Sequence, residues 1–189
     1  MNEFKYLGLW FDSKYTWKIH INQVETKCKK VLNVLRAVAG CNWGADKQAL
    51  IDIYRSIMRS TIDYGCIVYG AAAKTSLLKI DRIQYKALRL CIGAIKSSPI
   101  NAVLIGETPL EIRREKLALS YWVRLQGSGE EDITNRILQD CWEYTKFQGR
   151  GFGWTSKERT RAYGVETITF AKASPFSSVR PWLSPEANM

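Results

Sequence analysis

The chain has 189 residues, of which 46% are hydrophobic and 24% charged, and 28 Lys and Arg against 18 Asp and Glu give it a net charge of +10. This balance excludes a disordered chain, because disordered chains are poorer in apolar residues. The sequence has no apolar run of 18 residues and no small-residue cleavage site after its start, so neither a membrane partner nor secretion is expected. We therefore expect an intracellular protein, located in the nucleus or the cytoplasm.

The positive charge is concentrated in the first half of the chain. Residues 1–100 carry a net charge of +9, whereas residues 101–189 carry +1. A polyanionic partner would therefore bind the first half of the chain. A high pI is equally typical of a protein whose charge serves only to keep it soluble.

The cysteines predict reduced thiols and no metal site. Their number is odd, and the chain lacks a secretion signal. A zinc site takes four close ligands, usually in two short-spaced pairs, but no C-x-x-C occurs and the single histidine, His20, is eight residues from the nearest cysteine. The five cysteines are Cys28, Cys41, Cys66, Cys91 and Cys141.

The first predicted element is a single β-strand at residues 4–11, FKYLGLWF, because the run is aromatic and ends at Asp12-Ser13. A lone strand is not stable and needs a sheet to join. TITF at 167–170 is a weak second strand at best. The orphan strand therefore suggests a part of a larger protein.

The rest of the chain predicts a mostly α protein with a multi-helix bundle. Apolar residues recur at spacings of three and four in residues 16–39, with Thr16 as the N-cap and Gly40 after the end. Asp46 caps the next predicted helix. Two glycines interrupt the apolar stretch 63–70, which could be a buried helical turn or a strand, and a short, tightly packed helix is favoured. The predicted helices are 16–39, 46–62, 63–70, 75–94, a short turn within 98–108, 110–126 and 130–146, and residues 147–189 form an irregular tail.

Catalytic motifs are missing from the sequence. A Ser-His-Asp or Cys-His site would have to use His20, which is predicted to lie exposed on a basic helix. GRGFG at 149–153 lacks the preceding strand that a phosphate-binding loop requires. Adjacent acids occur only at Glu130-Glu131-Asp132, which point in different directions on a helix and do not form a two-metal cluster.

A basic ridge is the strongest candidate site. Lys79, Arg82, Lys86 and Arg89 follow spacings of three, four and three, so that they line one face of the helix 75–94. Cations on one face neutralise phosphates and release counterions, although an ordinary solvated face has the same pattern. Further candidate nucleic-acid contacts are Lys27 and Lys30 on the helix 16–39, and Arg55 and Arg59 on the helix 46–62.

Several segments resemble a known family. FKYLGLWFDSKYTWKIHI at 4–21 is similar to the segment just after the polymerase palm in reverse transcriptases of non-LTR (LINE-type, jockey-like) retrotransposons. RSTIDYGCIVYGAAA at 59–73, LLKIDRIQYKALRLCIGAIKSSP at 77–99 and GETPLEIRREKLALSYW at 106–122 resemble the helical region that follows. The resemblance covers about residues 4–146, in the same order.

The resemblance implies an RNA-directed DNA polymerase as the parent enzyme, in which Lys5, Tyr6 and Gly8 match the strand next to the primer grip. Residues 1–15 would be the last strand of a palm domain, 16–146 a thumb and connection domain, and 147–189 a linker or disordered tail toward an RNase H domain. The parent enzyme would use Mg²⁺ at aspartates that no residue here matches, so that no cofactor and no catalytic residue are expected in this chain.

Two hypotheses follow. The first is a basic helical thumb that binds a template–primer duplex, RNA–DNA or DNA, through its backbone and does not polymerise by itself. The alternative is a helical interaction module that folds only against a palm domain or a partner chain and has no nucleic-acid role. A helix-turn-helix factor is weaker, since no short recognition helix carries Arg, Asn or Gln for base edges.

Overall fold

The computed structural model describes residues 3–40, 44–104, 106–127, 133–134, 136–137 and 152–164, and in these residues the protein is mostly α-helical, as predicted. The elements are β1 Glu3–Tyr6, β2 Leu9–Asp12, α1 Lys18–Val38, α2 Lys47–Ile53, a π-helix Tyr54–Arg59, α3 Ser60–Asp63, α4 Cys66–Tyr69, α5 Lys74–Cys91, α6 Ile100–Leu104, α7 Leu110–Gly127 and α8 Phe152–Ala162.

The predicted single strand is wrong, because residues 4–11 lie in a β-hairpin. β1 and β2 pair antiparallel, from Glu3 opposite Asp12 to Tyr6 opposite Leu9. Leu7 and Gly8 form the turn with φ of 44° and 83°, and two positive φ values match the twist of a two-residue hairpin. A Leu-Gly pair inside an apolar run lacks the usual Asn-Gly or Asp-Gly signal. The weak strand at 167–170 lies outside the described residues.

The start of α1 also differs from the prediction. Thr16 does not cap the helix; the N-cap is Trp17, in a left-handed conformation without a side-chain hydrogen bond. The Thr16 backbone N–H instead donates to Asp12 Oδ1 at 2.7 Å, and its hydroxyl donates to Asp12 Oδ2. Asp12 therefore fixes the link between the hairpin and α1.

The core forms where α1 and α5 pack side by side, with α2, the π-helix and α3 against them. The predicted apolar stripe of α1 is buried at Ile21, Val24, Cys28 and Leu35, and Leu32 is more deeply buried than the predicted Val31. On α5, the predicted Ile80, Ile83, Ala87 and Cys91 are buried. Periodicity predicted these faces because each full turn takes about 3.6 residues.

The predicted helix 46–62 is continuous in the structure, but it changes from α-helix to π-helix and back to α-helix. Asp46 caps it, accepting a 3.1 Å hydrogen bond from the Ala49 N–H, as predicted. Its middle, Tyr54–Arg59, is a π-helix that the apolar pattern does not indicate. The short packed helix predicted within 63–70 is α4, which starts after Gly65 at a φ of 66°.

The chain divides into two compact units, Met1–Leu117 and Ala118–Met189. In the second unit, the rings of Tyr121 and Trp122 lie 5.6 and 6.2 Å from that of Phe152. Phe152 opens α8, which forms within the predicted irregular tail. The residues that α8 buries are the polar Ser156 and Thr160, so apolar periodicity does not reveal this helix.

Several predictions fall largely on residues that are not described. Residues 133–134 and 136–137 of the predicted helix 130–146 are helical, with Ile133 and Ile137 exposed, and the rest of that helix lies outside the described residues. Cys28, Cys66 and Cys91 are buried free thiols, in line with the prediction, whereas Cys41 and Cys141 are not described. None of the helices in the described ranges is long and apolar enough to span a membrane.

Candidate nucleic-acid interface

The basic ridge lies on the solvent face of α5. The opposite face packs into the core through Ile80, Ile83 and Leu88. This packing fixes the direction of the outer face, where Lys79, Arg82 and Lys86 are exposed. At 1.5 Å per residue these three cations span about 10 Å along the helix.

These three cations have few partners within the protein. Lys79 Nζ donates to Asn22 Oδ1 of α1 at 2.9 Å, which anchors one end of the ridge to the neighbouring helix. Arg82 and Lys86 form neither an ion pair nor a side-chain hydrogen bond with any residue that the structure describes. Their charges are therefore available to an anion.

Arg89, predicted as the fourth member of the ridge, faces a different environment. Its Nη2 donates to the carbonyl oxygen of Ser98 at 3.0 Å, and its Nε is buried without a partner in the described part of the chain. The guanidinium thus ties the end of α5 to the loop that precedes α6.

Arg55 and Arg59 lie in the π-helix and not on α5, and both hold Glu107. Arg55 Nε donates to Glu107 Oε1 at 2.7 Å, and Arg59 Nη1 donates to Oε2 at 2.9 Å. The Glu107 side chain is only 4% exposed, and its hydrogen bond raises the pKa of Arg55. Sequence reasoning missed Glu107, although its position as the only charged residue between Lys96 and Glu111 was an available signal.

Two further carboxylates are also held by arginines. Arg113 Nε lies 2.9 Å from both carboxylate oxygens of Asp63, and this hydrogen bonding raises the pKa of Arg113. Arg114 Nη1 donates to Asp81 Oδ1 at 2.9 Å. In the described ranges no three His, Cys, Asp or Glu residues lie close enough to hold a metal ion.

Lys27 and Lys30 are exposed on α1 but do not extend the ridge. Asn22, which contacts Lys79, and Lys27 are five residues apart, which places them about 140° apart around the helix. Lys27 instead lines a cleft beside the hairpin turn. Lys30 lies three residues further along and is not part of that cleft.

The three residues matched to the primer-grip strand all lie in the hairpin. Lys5 Nζ is 5.9 Å from the centre of the Trp10 ring, and the Tyr6 side chain is 62% exposed. Gly8 is in the turn, where the Tyr64 ring would lie 3.2 Å from an added Cβ. Tyr64 donates its hydroxyl to the Leu7 carbonyl oxygen, joining the turn to the end of α3.

His20 is buried, so its predicted exposure is wrong. It is 4% exposed, its ring lies 5.1 Å from that of Tyr69, and its Nδ1 accepts a 3.4 Å hydrogen bond from the Trp10 N–H. Burial and the nearby charge of Lys27 lower the pKa of His20. A helical wheel of α1 alone does not reveal this burial, because the covering residues come from β2 and α4.

Comparison with known proteins identifies relatives for about half of the chain. It is 38% identical over 95 residues to an RNA-directed DNA polymerase from the mobile element jockey of Drosophila melanogaster, a match that covers 48% of this chain and 10% of that protein. It is 30% identical over 99 residues to a probable RNA-directed DNA polymerase from transposon X-element of the same species, with coverages of 49% and 10%.

Over this region, the chain is similar to the RNA-directed DNA polymerases of non-LTR retrotransposons. A Pol polyprotein from the type-1 retrotransposable element R1 of Nasonia vitripennis is 27% identical over 123 residues, which cover 64% of this chain and 31% of that protein. The chain spans about a tenth of the length of the first relatives. No family model and no solved structure matches it. The relatives support the resemblance to a LINE-type reverse transcriptase region.

Proposed function

We propose that this chain is part of an RNA-directed DNA polymerase of a non-LTR retrotransposon, in which it serves as a thumb that holds a template–primer duplex. The observation that carries the proposal is the exposed face of α5, where Lys79, Arg82 and Lys86 project side by side. The similarity to retrotransposon polymerases provides the class of ligand.

Phosphate contacts of this kind give affinity without sequence preference. Each cation that neutralises a phosphate releases condensed counterions, so that binding weakens as salt rises. In the free protein, Arg82 and Lys86 are four residues apart and repel each other by a few tenths of a kcal/mol. A bound polyanion would relieve this repulsion, which favours the complex further.

The partners that follow from this proposal are nucleic acid and the other domains of the parent polyprotein, in the nucleus or the cytoplasm. Primer extension by the 189-residue chain alone is not expected. Two-metal polymerisation needs carboxylates clustered around the ions, and the catalytic aspartates that the resemblance implies match no residue of this chain. A primer-extension assay with Mg²⁺ tests this expectation, and measurable extension would refute it.

The ridge is tested with the triple variant Lys79→Gln/Arg82→Gln/Lys86→Gln. Affinity for an RNA–DNA duplex and for a DNA duplex is measured by fluorescence anisotropy from 50 to 300 mM salt. The slope of log affinity against log salt should fall by about 2 to 3, since each phosphate contact contributes about 0.9.

A matched control removes the same charge elsewhere. Lys14, Lys47 and Lys96 are exposed and lie outside α5, so the variant Lys14→Gln/Lys47→Gln/Lys96→Gln has an equal net charge. It should retain most of the affinity and the salt slope. Equal losses in both variants would show that net charge, and not the ridge, determines binding.

The hairpin favours a second candidate, the helical interaction module. All four residues of β1 are exposed, and β1 pairs with β2 alone among the strands in the described residues. An open strand edge is a place for another chain to pair. Size-exclusion chromatography with thermal melting by circular dichroism separates the two ideas, because a module of this type would not show a cooperative melt as a monomer.

A further inference from the structure

A cleft of about 380 Å³ lies where the hairpin turn meets α1 and α3. Its walls include Gly8 from the turn, His20 and Lys27 from α1, and Ser60, Thr61 and Tyr64 from α3 and the residue after it. It is separate from the ridge, since none of its lining residues belongs to α5.

His20 leaves a hydrogen-bond donor without a partner in this region. Its Nδ1 accepts from the Trp10 N–H, so the neutral ring carries its proton on Nε2. Nε2 is buried and has no partner within the described part of the protein. Buried polar atoms are nearly always paired, so an unpaired donor in a residue that lines a cleft points to an acceptor from outside.

The other polar groups of the cleft are already satisfied as donors. The Ser60 hydroxyl donates to the carbonyl oxygens of Ser56 and Ile57, at 2.5 and 3.0 Å, and the Thr61 hydroxyl donates to that of Ile57 at 2.7 Å. The Tyr64 hydroxyl donates to Leu7. Among the side chains that line the cleft, the remaining donors are His20 Nε2–H and the Lys27 ammonium.

The charge of the cleft is positive. Lys27 has no ion pair with the residues that the structure describes, and no acidic residue is among those that line the cleft. Lys27 is close enough to His20 to influence its ring electrostatically. Two donors that line the same cleft, one of them charged, match a ligand that presents several acceptor oxygens and a negative charge.

We infer that this cleft binds a phosphate group through Lys27 and His20 Nε2–H. Its volume exceeds that of a small inorganic ion and has room for an attached sugar or base. The inference rests on the proposed function only where it names the source of the phosphate. That source is a free nucleotide, the end of a nucleic acid or an internal phosphodiester.

The single histidine of the chain makes the test direct, because its imidazole resonances need no assignment. The full chain is titrated with inorganic phosphate at constant ionic strength and pH 7.5, and the His20 nitrogen shifts are followed by long-range ¹H–¹⁵N NMR. The variants are Lys27→Met and, as a matched control, Lys30→Met, which removes an exposed lysine of α1 outside the cleft.

The expected result is a saturable shift of Nε2 in the wild type and in Lys30→Met, with affinity reduced at least fivefold in Lys27→Met. A shift that is absent, that grows linearly with phosphate, or that is equal in Lys27→Met would overturn the inference. Circular dichroism checks that both variants fold.

Further titrations distinguish the sources of the phosphate. The same shift of His20 Nε2 is followed with a 5′-mononucleotide and with one oligonucleotide that either carries or lacks a 5′-phosphate. Tighter binding of the phosphorylated end assigns the cleft to a terminus, and equal binding of both oligonucleotides assigns it to a phosphodiester. The ridge variant Lys79→Gln/Arg82→Gln/Lys86→Gln should keep the phosphate response, so failure of the cleft and failure of the ridge are distinguishable.

Discussion

The Glu107 carboxylate accepts a 2.9 Å hydrogen bond from Arg59 Nη1, although the Glu107 side chain is only 4% exposed. The pair joins the π-helix to the residues just before α7. A buried ion pair contributes little net stability, but removal of one partner leaves the other uncompensated.

Replacement of Glu107 should therefore destabilise the fold. We expect Glu107→Ala to lower the free energy of unfolding by about 3 kcal/mol, since Arg59 loses its partner in a half-buried site. Urea unfolding followed by circular dichroism measures the change. Asp52→Ala is the control, because Asp52 is 60% exposed and lies 4.0 Å from Arg55, and it should shift stability by less than about 0.5 kcal/mol.

Gly65 and Gly93 form a matched pair for separating backbone strain from steric clash. Both have positive φ, 66° and 65°, but a Cβ at Gly65 would lie 2.6 Å from Leu9 Cδ2, whereas nothing lies within 4 Å at Gly93. Gly93→Ala should cost about 1 kcal/mol from the left-handed conformation alone. Gly65→Ala should cost more, because the hairpin must shift at Leu9. Equal losses in thermal or urea unfolding would argue against the contact between the hairpin and α4.

The burial of His20 predicts that acid destabilises the fold. Its pKa is lowered from 6.5 in the folded state by burial and then by Lys27, so the unfolded chain takes up a proton at a higher pH than the folded chain does. The contribution of His20 to the free energy of unfolding should be fully present above about pH 6.5. It should be lost as the pH falls through the pKa of His20 in the folded state. Urea unfolding from pH 7.5 to 5.0 measures this slope. In His20→Gln the slope should flatten in that window, even though the variant is less stable throughout.

The described cysteines should be protected from alkylation in the native state. Burial raises the pKa of Cys28 to about 12 and those of Cys66 and Cys91 to about 11, and the thiolate is the reactive form. Iodoacetamide labelling at pH 8, read by peptide mass spectrometry, should modify these three thiols at least tenfold more slowly in buffer than in 6 M urea. Rapid native labelling of Cys28 would contradict the packing of α1 against α5.

Local periodicity allowed much of the helical fold to be predicted. The apolar stripes on α1 and α5, the Asp46 cap and the short helix α4 all depend on residues within a few positions of one another. The exposure of Lys79, Arg82 and Lys86 was predicted from the same helical period, since these residues lie opposite the buried stripe of α5.

The hairpin turn at Leu7-Gly8 and the contact between Asp12 and Thr16 were missed although both are local. Other side-chain environments depend on partners outside the same helix, and these were not predicted either. His20 is buried by Trp10 and Tyr69, and Arg55 and Arg59 bind Glu107, about fifty positions further along the chain. The Arg89 guanidinium donates a hydrogen bond to the carbonyl oxygen of Ser98. No periodic signal within one helix indicates such partners.

The sequence by itself determined which faces of the helices are apolar and where the positive charge is concentrated, because both follow from residue type and a fixed helical period. Only the tertiary structure decided which cations have no carboxylate partner among the described residues. Lys79, Arg82 and Lys86 stay exposed, whereas Arg55, Arg59 and Arg113 are held by carboxylates. The physical reason is that a charge is available to a ligand only when packing brings no opposite charge to it, and that depends on how the helices meet.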